Sequence, residues 1–368
     1  MNKLLSLIFI TALSVSVFAQ DGQKDPVTQA EYVKMLYGLD ANPASKDDLI
    51  QALRKRGIDF TLTSGLRSLT ISKSRNDAEL RRTLEEANRR RENPSAAQPP
   101  SVKEALELLD RTRQNTLEAV EQMPDFVVKQ RIQRSAAYAG TNNFRSLDRL
   151  IVAVSYLAKG EEEYRVLSIN GVRQDAPKAK RDYSEVQGTS STGEFVTVLA
   201  TIFKRENETK FEVVDTDQIK DQRAVVYDFS ITKDKAQQRI TAQQMITEST
   251  ITGMNGRIWI DRDKSRVLRI ESYATEIPGD FPIQAAKRII EYDWVKINDE
   301  DYLLPSLSDV RLTFRQRKDI FESRNLIAFQ DYKKYGSEVI ILDDDEVVTD
   351  EDVKDGTGDP AADDQPQR

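Results

Sequence analysis

Between Asp125 and Leu342 apolar and polar residues alternate with a period of two, in one segment after another. Arg257-Ile258-Trp259-Ile260-Asp261 and Arg266-Val267-Leu268-Arg269-Ile270-Glu271 show it most clearly. Successive side chains of an extended chain point to opposite faces, so each such segment has one face to bury. Slipping by one residue would turn that face to water, which ties strand pairing to the pattern. Asn170-Gly171, Asn255-Gly256, Asp261 to Ser265 and Asn298 to Asp301 supply turn residues between the runs. Together they predict a meander of roughly nine to eleven antiparallel strands. Ala176 to Thr201 breaks the pattern. Gly188 to Gly193 reads as a Gly/Ser/Thr loop, and EFVTVLATIF fits a helix as well as a strand.

Before Pro124 the period is helical. Val27, Ala30, Val33, Leu36 and Tyr37 share one face, with Gly38 as a stop. SKDDLIQALRKRG opens on Ser45 with Asp47 and Asp48 in the first turn, and closes on Arg54, Lys55 and Arg56 before Gly57. Cap, charge bias and terminal glycine agree on a helix. IDFTLTSGLRSLTI reads as a short turn, with Ser72-Lys73-Ser74 in a loop, and NDAELRRTLEEANRRRE as a further helix capped by Asn76 or Asp77. Residues 20–92 thus form a helical module, followed by a proline-rich linker at 93–100. Ser101 caps a long helix whose stripe reads Val102, Ala105, Leu106, Leu109, Thr112, Leu117 and Val120, with a slip near Arg113 to Asn115. The expected class is α+β: a curved antiparallel sheet, an incomplete barrel covered by helices, over 101–342.

The two ends are of other kinds. Met1 to Gln20 has Lys3, then an apolar run from Leu4 to Ala19 with small residues at Val17 and Ala19. That is the pattern of a secretory signal peptide, residues 1–19, cut between Ala19 and Gln20. The run is shorter than the ~20 residues a span needs. A periplasmic or secreted protein with no further transmembrane segment is expected. Residues 343–368 hold eleven acids against Lys354 and Arg368, a charge of −9 in a chain of net −7, so the rest carries +2. Such a tail has too few apolar residues to fold alone.

The chain has no histidine and no cysteine. The commonest general base, the commonest metal ligands, thiol nucleophiles and disulfides are all missing. Asp343-Asp344-Asp345-Glu346 and Asp350-Glu351-Asp352 do not make a calcium loop, since Val347 and Val348 occupy its fifth and sixth positions from Asp343. Asp261, Asp263, Glu271 and Glu276 could supply a glycosidase pair but fall along a hairpin. No Gly-x-x-x-x-Gly-Lys phosphate loop occurs. Arg54-Lys55-Arg56 and Arg89-Arg90-Arg91 sit where they compensate helix dipoles, which needs no nucleic-acid partner. No catalytic residue, metal or cofactor is expected.

Three pieces line up: the export signal, a long helix running into MPDFVVKQRIQR, and the strand pairs Asn255-Gly256-Arg257-Ile258-Trp259-Ile260-Asp261, Val267-Leu268-Arg269-Ile270-Glu271 and Asp301-Tyr302-Leu303-Leu304-Pro305. Over about 101–342 this resembles the periplasmic lipoprotein-carrier superfamily, which includes sorting carriers, lipoprotein receptors and sigma-regulator sensors. Lys55, Arg56, Gly57, Ile58, Asp59, Phe60, Leu62 and Thr63, within Ile50 to Arg91, resemble a helical module of acidobacterial secreted proteins. The first resemblance implies a non-enzymatic protein holding a lipid, or the acyl chain of a lipoprotein, in the concave face of the sheet. Ile258, Trp259, Ile260, Leu268, Ile270, Ile289, Tyr292 and Trp294 are the candidate cavity-lining residues. The chain departs from the receptors in lacking a lipid-bearing cysteine, and from the carriers in length. The alternative is an envelope interaction or sensor protein with a filled sheet, whose helical module binds a partner protein.

Overall fold

The computed structural model describes residues 25–335, apart from 43–44, 96, 142, 158–160, 175–182, 184–185, 187 and 244–246. The expected signal segment and acidic tail lie outside the described residues. Helices α1 (Gln29–Gly38), α2 (Lys46–Arg56), α3 (Ser64–Lys73) and α4 (Ala78–Glu92) make the N-terminal module, and α5 (Val102–Glu121) follows. Then come β1 (Phe126–Tyr138), β2 (Arg145–Leu157), β3 (Glu161–Ile169), β4 (Val172–Arg173) and α6 (Thr197–Phe203). The remainder is β5 (Lys210–Ile219), β6 (Gln222–Ile231), α7 (Lys233–Ala236), β7 (Gln238–Gln243), β8 (Thr247–Asp261), β9 (Val267–Thr275), β10 (Ile283–Ile297), β11 (Glu300–Gln316) and β12 (Asp319–Lys334).

The strands form one 12-stranded antiparallel sheet in the order β4-β3-β2-β1-β12-β11-β10-β9-β8-β6-β5, with β7 on β8. The first long strand and the last therefore meet in mid-sheet: Ile132 faces Leu150 of β2 on one side and Ile327 of β12 on the other. β4 and β5 end the path without pairing to each other, so the curved sheet stays open rather than closing into a barrel.

Helix starts follow the caps. Thr28, Thr63, Asp77 and Ser101 each accept a hydrogen bond from the backbone N–H three residues on, satisfying an orphan donor. The cap at Thr63 makes Ser64–Lys73 a helix where the sequence reads as a turn, and the module packs four helices around Tyr32, Leu36, Leu49, Leu53, Leu80 and Leu84. EFVTVLATIF resolves as α6, whose Val198, Leu199, Ile202 and Phe203 are buried. The buried stripe of α5 is Ala105, Leu108, Leu109, Thr112 and Thr116, while Val102 and Leu106 face solvent. Helix α5 runs unbroken through the expected slip. Asn255-Gly256 is no turn but lies inside β8. Gly256 is needed there because a Cβ would meet the Glu271 carbonyl oxygen at 2.1 Å.

One face of the sheet lies under α5 and α6. Val225, Tyr227, Ile258, Ile260, Ile270, Ile290 and Tyr292 pack there with Leu108, Leu109, Ile202 and Phe203. Farther along, Phe126, Val128, Val152, Val154 and Phe329 pack with Phe195 and Met123. The opposite face of β5, β6, β8 and β9 carries a small apolar group, Ala224, Val226, Trp259 and Leu268, beneath the module.

Candidate functional site

Two places concentrate polar groups. The first joins the module to the sheet. Helix α4 has two buried sides. Leu80, Leu84 and Ala87 enter the module core, while Glu79, Arg82 and Glu86, at helical spacing, meet the sheet. Strand alternation brings the complement. Arg54 pairs with Glu79 at 3.0 Å and Asp215 at 3.1 Å, Arg257 with Glu79 at 2.7 Å and Asp228 at 2.6 Å, and Arg82 with Glu271 at 2.5 Å. The guanidinium groups of Arg82 and Arg269 both lie against the Trp259 ring, at 5.3 and 5.4 Å, and its indole N–H donates to Asp217 at 2.7 Å. Leu268 is the extra residue of a bulge opposite Trp259 and Ile260, which leaves Leu268 and Arg269 both beside that indole.

Charge tuning at this joint runs in both directions. Burial pushes the Glu86 carboxyl up to about 7, against hydrogen bonds from Arg89 and Thr216 and with repulsion from Asp217. Burial would raise Glu271 too, but Arg82, Arg269 and Arg257 outweigh it and hold that carboxyl at about 2. Burial also raises Asp217, opposed by Arg82 and Trp259. The space left over is about 10 Å³, the lower limit for one water. The joint is a structural seam, with no room for a ligand.

The second place is a cleft of about 160 Å³ at the end of the α5 face. The loop residues Ser190, Ser191 and Thr192, with Arg239 and Thr241 of β7, give it polar lining. Ile240, Ala286, Val310 and Leu312 add an apolar part, backed by Phe281, Ile283 and Phe314. Arg288 joins loop to sheet: it donates to the Thr192 carbonyl at 3.1 Å and stands 3.9 Å from Glu194.

Behind the cleft lies a buried polar cluster. Ser191 donates to Glu194, which is wholly buried, and Tyr164 donates to Glu162. The Gly193 N–H donates to Glu162 at 3.1 Å, and Gly193 takes a positive φ of 81° that suits glycine. Burial raises Glu162, and Glu194 adds repulsion to that while Tyr164 and Gly193 oppose it. Burial likewise raises the hydroxyls of Tyr164, Tyr183 and Tyr292. One oxygen each of Glu162 and Glu194, and the hydroxyls of Tyr183 and Tyr292, have no hydrogen-bond partner among the described residues. In sequence the Gly/Ser/Thr loop was the visible signal of this place. The carboxylates and tyrosines beneath it come from distant strands, and only the fold assembles them.

The candidate lining residues do not share one cavity. Ile258, Ile260, Ile270 and Tyr292 lie on one face, packed against α5 and α6. Trp259 and Leu268 are on the opposite face, beneath the module. Ile289 is half-buried and pairs with Glu271 in the ladder. Trp294 is 41% exposed near the end of β10. The acids considered for glycoside chemistry are each engaged: Asp261 accepts the N–H groups of Asp263 and Lys264, Asp263 pairs with Arg223, Glu271 with Arg82 and Arg269, and Glu276 accepts from the Lys233 N–H. Ser72-Lys73-Ser74 closes helix α3 instead of forming a loop. No group of three or more metal-ligating side chains occurs among the described residues.

No protein-family model matches the chain, and no curated protein matches it. Neither comparison supports a likeness of Ile50 to Arg91 to an acidobacterial module. Among solved structures, a DUF1329 family protein from Desulfovibrio piger aligns over 63% of this chain and 95% of its own, at 10% identity and a TM-score of 0.27. The MucA/MucB complex of Pseudomonas aeruginosa aligns over 61% of this chain and 94% of its own, at 9% identity and a TM-score of 0.17. A structure of MucB with MucA(peri) gives the same coverage at 10% identity and 0.15. At such scores these likenesses assign no ligand, partner or compartment to this chain.

Proposed function

We propose that the chain is an exported binding protein without catalytic activity, which holds a small amphipathic anion in the cleft at the Gly188 to Gly193 loop. The carrying observation is the mixed lining: Arg239, Arg288 and three loop hydroxyls beside Ile240, Ala286, Val310 and Leu312. Cations and hydroxyls suit a charged headgroup. The apolar part removes a short hydrocarbon end from water at about 25 cal/mol per Å². At about 160 Å³ the cleft is smaller than the sites that enclose drug-sized ligands, so it takes the end of a lipid and not its whole length. Longer acyl chains would have to displace α5 or α6 from Ile258, Ile260, Ile270 and Tyr292. Export rests on the signal pattern of Met1 to Gln20. No helix of the described residues is long and apolar enough to cross a membrane.

The test is a titration with a fluorescent fatty acid, together with mass spectrometry of lipid extracted from natively purified protein. Arg239→Glu and Leu312→Asp should each weaken uptake by about tenfold or more. Clean protein with no uptake, or uptake equal in both variants, would overturn the reading.

The packed α5 face favours a second reading, an envelope interaction protein on a filled scaffold. Its free surface would be the exposed side of the module, where Tyr37 and Ile71 face solvent. A specific envelope partner lost on Tyr37→Asp and Ile71→Asp, with no lipid carried, would decide for it.

A further inference from the structure

Three hairpins point to one end of the sheet, the β1–β2 and β11–β12 tips level with each other and the β3–β4 tip set back to the level of Leu150 in β2. The β1–β2, β3–β4 and β11–β12 connections belong to strands that are neighbours in the order β4-β3-β2-β1-β12-β11. The ladder fixes their shared direction and this stagger. Tyr138 pairs with Phe321, Ala136 with Arg145, Ile169 with both Leu150 and Val172, and Gln316 with Asp319.

Each tip presents a large apolar side chain to solvent: Tyr138 at 60% and Leu147 at 62% exposure on the first, Val172 at 65% on the second, Ile320 at 39% on the third. Leu147 is exposed by a bulge. Ser135 pairs with Ser146 and Arg134 with Asp148, so Leu147 is the unpaired extra residue. Bulges re-aim side chains, and here one turns a leucine outward. The base is firm: Tyr138 packs against Phe321 in a tilted pair at 4.9 Å, Phe321 stacks on Phe314 at 6.1 Å, and Arg75 of the module donates to the Gly140 carbonyl at 2.7 Å.

The same tips are basic. Arg145, Arg149, Arg173, Arg315, Arg317 and Lys318 are exposed there, against Asp319 and an Asp148 that is held by Arg134. At the opposite end of the sheet the β10–β11 turn carries Asp299, Glu300 and Asp301, among exposed cations that include Lys333 and Lys334 of β12.

We infer that this end docks the protein on a lipid surface carrying anionic headgroups, with the four apolar side chains entering the interface and the six cations meeting the headgroups. Exposed apolar groups ringed by lysine and arginine are what such surfaces bind. Charge complementarity favours an anionic bilayer, and the six cations gathered at these tips set the orientation. The inference does not depend on the cleft holding a ligand.

The test uses the full chain and vesicles of phosphatidylglycerol with phosphatidylcholine, against phosphatidylcholine alone. Co-sedimentation is expected only with the anionic vesicles and should fall with added salt. The pair Leu147→Glu with Val172→Glu, and the set Arg145→Glu, Arg317→Glu and Lys318→Glu, should each weaken it by roughly tenfold or more. Asp299→Lys with Glu300→Lys should not weaken it. Because the chain has no cysteine, Leu147→Cys accepts a polarity-sensitive dye at that position alone. Its emission should shift to the blue on anionic vesicles, a readout that separates docking from loss of fold. No binding to anionic vesicles, binding unaltered in both variants, or no dye shift would overturn the inference. So would capture of a protein by this end without vesicle binding.

Discussion

Trp259 does three jobs with one side chain. It fills the small apolar group under the module, holds the guanidinium groups of Arg82 and Arg269 against its ring, and donates to one oxygen of Asp217. Trp259→Ala is expected to cost about 3–5 kcal/mol in urea unfolding, as for other buried aromatics. Trp259→Phe keeps much of the packing but removes the donor to one buried oxygen of Asp217, at a cost of about 1–3 kcal/mol. The alternation in Arg257-Ile258-Trp259-Ile260-Asp261 already separates Trp259 from its two isoleucine neighbours. What it leaves open is which element covers each face. That depends on helices far away in sequence, which is why eight candidate lining residues fall into a packed core, a seam and a surface. The seam did leave a trace: charges at helical spacing in α4 match charges at spacing two in β5, β8 and β9. Read one element at a time, the arginine runs have a sufficient explanation in the helix dipole. Arg54 and Arg90 nevertheless reach Asp215, at 3.1 and 3.2 Å.

At the scale of elements, the joint between α4 and the sheet has a pH dependence of definite sign. The Glu86 carboxyl stands at about 7 in the folded chain against an ordinary 4.5, so its contribution is full below 4.5 and lost as pH rises to about 7. The loss is on the order of 3 kcal/mol. Glu86 faces Arg89 and Arg90 on its own helix and Thr216 and Asp217 of β5. Glu271 works the other way. Its stabilisation is present above 4.5 and lost as pH falls towards about 2. Urea midpoints measured across pH should peak near 4.5, and Glu86→Gln should flatten the limb between 4.5 and 7; an unchanged slope would contradict this account. Elements were legible where their ends carry polar caps, as at Ser101 and Asp77. Helix α3 escaped because Thr63 is a cap without an acidic partner, and its buried side is little more than Leu66 and Thr70. In α5 the misread stripe includes Val102 and Leu106, apolar residues with no facing surface.

At the scale of the molecule, the sheet has a covered face on each side, but the two covers differ in kind. Helices α5 and α6 seal one with apolar packing, while the module seals the other with ion pairs around a small apolar group. Buried ion pairs add little net stability, yet breaking them by removing one side is costly. Deleting residues 25–92 should therefore expose Trp259, shift its emission to the red and make the chain prone to association; unshifted emission would show that the module does not protect it. The α+β class and the open meander were legible from periodicity alone. The order of the strands was not, because β1 and β12 are joined by register and not by proximity in the chain.

That central seat of β12 has a consequence for timing. A chain made from its N-terminus forms β1 to β4 early and β5 to β11 later, as two half-sheets with unpaired inner borders. They cannot be spliced until Asp319–Lys334 has left the ribosome. Strand β12 is the keystone of the arch, so the polypeptide remains incomplete, and threadable, until that segment has been made.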